Sequence, residues 1–143
     1  MDIDAVLDAP CPPAALFHWV EDLSRYPAWL GIVIRAEDDG DDAWSVDLRG
    51  RVGPLARSKR LRMQRTRLEP ERLVAFERAE RDGRNHAPWT LRAEVTPTEA
   101  GSHLDMHLHY GGGLWGPVLE RMLRDEIDRG RARLLELVSE RTR

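Results

Sequence analysis

The densest run of chemically capable side chains is His103-Leu104-Asp105-Met106-His107-Leu108-His109-Tyr110, in which imidazoles and a carboxylate recur at every second position. On a β-strand this spacing puts them on one side, and a His-x-His pair is a geometry that zinc sites use. A metal site also needs further ligands and groups that orient them, and the sequence supplies only the row. Leu104, Met106, Leu108 and Tyr110, the alternate set, claim the buried side. The histidines are therefore expected on a wetted outer face, with no metal.

Two charges fall in apolar patterns. In the stretch 58–68, Leu61 and Met63 fix an inward parity that brings Arg65 inward as well. An unpaired buried guanidinium costs several kcal/mol, on the order expected for any uncompensated buried charge, so Arg65 needs a carboxylate, a polar ligand group or an escape at a bulge. Glu126 lies within the helical stripe formed by Leu119, Met122, Leu123, Ile127, Gly130, Leu134 and Leu137. It is either a flank residue reaching solvent or a cavity carboxylate that could partner Arg65. Gly130 weakens a helix, which points to close approach of backbone or ligand, or to a tolerated weak point. Cys11 sits in a proline-rich turn with no base nearby in sequence, and no glycine loop opens a helix after a strand to cradle a cofactor phosphate. No cofactor is expected.

These residues need a scaffold. Ile3, Ala5 and Leu7 alternate with aspartates as in a half-buried strand, which Ala9-Pro10-Cys11-Pro12-Pro13 ends. A short helix follows over 14–20, then a second helical turn over 21–25, broken at Tyr26-Pro27 because proline disfavours helix in the residue before it. Five strand-like stretches come next, over 32–37, 44–52, 58–68, 73–80 and 88–96, and a last one over 103–110. Gly111-Gly112-Gly113 leads into a helix from Gly116-Pro117 to about Glu140. Seven antiparallel strands cannot bury a face without a cover, and the terminal helix offers the long apolar stripe. The expected fold is α+β: a curved seven-stranded antiparallel sheet wrapped around a long C-terminal helix, with two short helices between strands 1 and 2.

With 143 residues, 41% of them hydrophobic and 33% charged, the chain can bury a core of its own, and residues 1–143 read as one domain. A net charge of −3, its signs interspersed, gives no field to attract nucleic acid or an anionic membrane. No apolar run approaches the roughly 20 residues of a membrane span. The start Met1-Asp2-Ile3-Asp4 lacks the features of a secretory signal, and one cysteine cannot form an internal bridge. A cytoplasmic monomer or homodimer is expected.

The stretch Glu21-Asp22-Leu23-Ser24-Arg25-Tyr26-Pro27-Ala28-Trp29-Leu30 resembles one found between the first two strands of the SRPBCC superfamily (START-like, polyketide cyclase-like, helix-grip), and the order of elements resembles that superfamily over the whole chain. The resemblance implies a cavity between sheet and C-terminal helix that takes lipids, polyketides or other largely apolar ligands. Alternation then gives its walls. Trp44 and Leu48 would come from the third strand, Met63 and Arg65 from the fourth, and Trp89 and Leu91 from the sixth. Met106, Leu108 and Tyr110 would come from the seventh, and Leu119, Met122 and Glu126 from the helix. Trp29 and Trp115 would stand at the cavity or its mouth, and aromatic walls suit flat ligands. The primary expectation is binding or carriage of a hydrophobic small molecule. A second is a cyclase, aromatase or dehydratase on a polyketide-like substrate, with Arg65 steadying an enolate and Tyr110, a histidine or Glu126 moving protons. A third is a protein-interaction module, toxin-like or quinone-associated.

Overall fold

The computed structural model describes residues 1–52, 55–112 and 116–141. Its order is β1 (Asp2–Ala9), α1 (Pro13–Phe17), a 3-10 turn (Leu23–Ala28), β2 (Val33–Asp38), β3 (Ala43–Val52), β4 (Leu55–Glu69), β5 (Leu73–Arg78), β6 (Trp89–Thr98), β7 (Gly101–Tyr110) and α2 (Gly116–Arg141). The strands form one sheet in the order β1-β7-β6-β5-β4-β3-β2, with every neighbouring pair antiparallel. Strands β2 to β7 follow one another as a meander, and β1 closes against β7. The α+β helix-grip architecture expected from the sequence is the one observed.

The alternation argument holds strand by strand. Val46, Leu61, Ala93 and Leu104 are buried on the concave side, and Phe76 of β5 is wholly enclosed there. Bulges at Val33/Arg35 and Arg65/Arg67 sharpen the curl of the sheet. The helix α2 fills the concavity with Leu123, Leu134 and Val138. A methyl group on Gly130 would stand 3.1 Å from the Trp29 carbonyl and 3.0 Å from Leu30 Cδ1, so this glycine marks close approach of backbone.

Several boundaries differ from expectation, among them α1, which ends at Phe17 and not at residue 20, and β4, which begins at Leu55 and not at Ser58; two further differences have a visible cause. The second short helix runs to Ala28 through Pro27, starting at Leu23 and not Glu21. Asp22 caps it, accepting from the Ser24 backbone N–H at 2.8 Å. A 3-10 turn this short gives up a single backbone bond to the proline, and Tyr26 then anchors it by donating to the Val20 carbonyl at 2.9 Å. Strand β5 stops at Arg78, two residues early, because Glu80 turns back to accept from Arg78 Nε at 2.8 Å and from the Arg62 backbone N–H at 3.2 Å.

Candidate functional site

Between the sheet and α2 lies a cavity of about 110 Å³ whose surface is apolar. The sheet supplies Leu48, Met63, Trp89, Leu91, Met106 and Leu108, all expected there, together with Ile3 and Leu7 from β1. The helix supplies Leu123, Ile127, Arg131 and Leu134. The segment between α1 and β2 closes one side with Leu23, Tyr26, Trp29, Leu30 and Ile32. The stretch that carries the family resemblance is thus a wall of the cavity. Trp29 is held in place by donating Nε1–H to the Trp19 carbonyl at 3.0 Å and by its ring packing 4.9 Å from that of Tyr26.

The other expected wall residues lie elsewhere. Trp44 is buried, but its ring packs edge-on to Phe76 at 5.7 Å and is covered by the Arg65 guanidinium at 5.3 Å. Tyr110 is buried beside Trp89, ring centroids 4.6 Å apart, with its hydroxyl covered by Gly112. Leu119 and Met122 pack on the core from α2 without reaching the void, and Met122 fits over Gly50. Trp115 lies outside the described residues.

Arg65 keeps the inward parity, opposite Phe76 of β5, yet stays outside the cavity. It sits where the concave face ends. Its Nη2 and Nε donate to the two carboxylate oxygens of Asp42 at 2.6 and 3.2 Å, and Nη1 donates to the Glu21 carbonyl at 2.8 Å. The buried-charge problem is solved by a carboxylate from the β2–β3 turn, and the guanidinium clamps that turn to the connection between α1 and the 3-10 turn. Glu126 faces the opposite side of α2, into a separate open cleft of about 380 Å³ shared with Gly31, Ile34, Gly50 and Arg129, and pairs with Arg129. Arg65 and Glu126 therefore do not meet.

Sequence reasoning missed two arginines. Arg131 lines the cavity with its stem while its Nη1 reaches Asp128 at 3.4 Å, and its Nε is buried without a hydrogen-bond partner among the described residues. Its position next to Gly130 in the stripe was the available signal. Arg78 continues the inward parity of Val74 and Phe76 and sits opposite Met63. Its side chain is only 8% exposed, paired with Glu80.

On the outer face, the histidine row stands as expected. His103 bonds Asp8 at 2.7 Å, His107 bonds Asp4 at 2.7 Å and Asp2 at 3.0 Å, and His109 bonds Asp2 at 2.9 Å. The bond to Asp4, then that to Asp2, raises the His107 pKa above the usual imidazole value. Asp2 is lowered, chiefly by His109. The row ties the edge strand β1 to β7. Among the described residues no group of three such side chains is disposed to hold a metal.

Chemically, the cavity can exclude water and press apolar surface against a guest. Among the described residues of the wall the Tyr26 hydroxyl is the one hydroxyl group; it is committed to Val20 O, and burial followed by the Asp22 carboxylate pushes its pKa up and away from proton transfer at neutral pH.

A curled antiparallel sheet closed by one long helix around an apolar void defines a helix-grip protein with an internal cavity. Residues 2–138 match the family described as polyketide cyclase/dehydrase and lipid transport, and the chain belongs to that family, within the SRPBCC superfamily. Its fold is shared by solved structures of low sequence identity. Protein CV1439 from Chromobacterium violaceum is 12% identical with a TM-score of 0.71, each chain covered to 96%. The Zhui aromatase/cyclase from Streptomyces sp. R1128 is 13% identical with a TM-score of 0.68, over 100% of this chain and 96% of that one. The di-domain ARO/CYC StfQ from the steffimycin biosynthetic pathway is 16% identical with a TM-score of 0.69, over 99% of this chain and 52% of that one. No curated protein matches the sequence. No helix among the described residues is long and apolar enough to cross a membrane.

Proposed function

We propose that the protein binds and carries a small hydrophobic molecule in the cavity between the sheet and α2. The observation that carries this reading is the wall itself, whose surface toward the void is apolar and which includes two tryptophans, Trp29 and Trp89. A void of about 110 Å³ takes roughly one aromatic ring or a short acyl segment as it stands, since drug-sized ligands occupy about 300–1,000 Å³. A larger ligand would displace the flexible Met63 and Met106 side chains.

The cyclase reading has the family membership and the aromatase/cyclase fold neighbours behind it. It calls for a positioned group to move protons. Among the described residues the wall offers only Tyr26 and Arg131, with Arg65, Tyr110 and Glu126 engaged elsewhere. Carriage therefore fits the geometry better.

The test is a titration of the purified protein with indole, naphthalene and short-chain alcohols, followed by tryptophan fluorescence and thermal unfolding. Saturable quenching and a melting temperature that rises with ligand concentration are expected, the latter by about 2.7 kcal/mol of stabilisation at a hundred times Kd. Absence of both across the series overturns the reading.

A further inference from the structure

The geometry points to an anionic head group on the ligand, a carboxylate held by Lys59 at the rim of the cavity while the apolar body fills the void. This rests on the carrier reading and adds the ligand's chemical class.

The concave face does not stop at the apolar wall. On β4 the next inward position beyond Leu61 is Lys59, which lies opposite Leu48 of β3, and both leucines line the cavity. Arg78 of β5 faces Met63, another wall residue, and its Nη1 donates to the Ala87 carbonyl, two residues ahead of Trp89. Lys59 and Arg78 thus continue the lining into a basic rim.

The partners at that rim do not balance. Glu80 is taken up by Arg78 at 2.8 Å and by the Arg62 backbone N–H. Among the described residues no carboxylate lies in ion-pair range of Lys59. Two cations and one carboxylate leave a single positive charge beside an apolar void. Lys59 is exposed at this rim, and partial desolvation, then the like charge of Arg78, lower its pKa below the usual ammonium value against the opposing pull of Glu80, whose carboxylate is already paired with Arg78. Trp89 adds a buried indole N–H with no acceptor among the described residues. A carboxylate brings one negative charge and two acceptor oxygens, matching the surplus charge where a dianionic phosphate would exceed it. The apolar chain attached to it has the cavity to enter.

The experiment compares octanoate, 1-octanol and octyl phosphate by isothermal titration at neutral pH, on the natural protein and on Lys59→Met and Lys59→Arg. Octanoate is expected to bind at least tenfold more tightly than octanol and more tightly than octyl phosphate. Lys59→Met should remove the preference while leaving octanol affinity within about twofold, and Lys59→Arg should retain most of it. Equal binding of octanoate and octanol, or a preference that survives Lys59→Met, overturns the inference and leaves the carrier reading standing. Preference for octyl phosphate overturns the carboxylate assignment. If none of the three binds, the carrier reading falls and this inference with it.

Discussion

Replacing Leu91 with phenylalanine tests whether the void between sheet and helix is real space. Leu91 stands in the middle of the concave face, opposite Phe76 on β5 and Leu108 on β7, and borders the cavity. An unfilled cavity costs about 24 cal/mol per Å³, so 110 Å³ forfeits about 2.6 kcal/mol, the ceiling on what filling can return. The larger ring adds three carbons, worth at most about 2.4 kcal/mol when buried, against an overpacking penalty of about 1–3 kcal/mol where a core is already full. With space available, the gain should prevail by about 1 kcal/mol. Urea unfolding at fixed pH should show the higher midpoint with an unchanged slope. The same ring occupies the ligand's place, so affinity for indole or naphthalene should drop at least tenfold. A variant destabilised by 1–3 kcal/mol (roughly the overpacking range) with undiminished ligand binding would refute both the void and its assignment as the site.

Arg65→Ala removes charge-assisted bonds to Asp42 and Glu21 from a side chain 17% exposed, and should cost about 1.5–3 kcal/mol by denaturant titration while leaving ligand affinity unchanged. Loss of binding in the folded variant would return Arg65 to the site. Glu126→Gln should alter neither binding nor stability by more than about 0.5 kcal/mol, since Glu126 faces an outer cleft; a tenfold affinity change contradicts that. The folded pKa of His107 is raised, so its stabilisation is complete below the unfolded value and is lost as pH rises through the folded one. Asp2 is lowered, so its contribution is present above its unfolded value and lost as pH falls through the folded one. The tie between β1 and β7 should be strongest in the mildly acidic range between them. Hydrogen exchange of β1 amides should slow there in the natural protein, and His107→Gln should flatten that dependence; an unchanged profile counts against the tie.

Much of the fold is legible in the sequence because alternation is local. Period-two patterning in Trp89 to Val95 and in Leu104 to Tyr110 assigns each side chain to a face whatever the rest of the chain does. The helical stripe ending at Leu137 and the absence of any other cover for the sheet then dictate the grip, and the histidine row follows as the outer face. Parity cannot say how far along the sheet the void extends, and this separates the cavity-lining residues from the others on the same face. Leu48, Met63 and Leu91 reach the cavity, while Trp44 and Arg65, on the same face, lie past its end under the clamp to Asp42. Glu126 and Arg131 lie five positions apart on one helix, about 140° around its axis, so they cannot share a face, and only the way α2 seats in the sheet decides that the second lines the cavity and the first the outer cleft. Arg78 and Glu80 are near in sequence, but the placing of Arg78 against Met63 and of Lys59 against Leu48 depends on cross-strand register, a property of which strands meet and where.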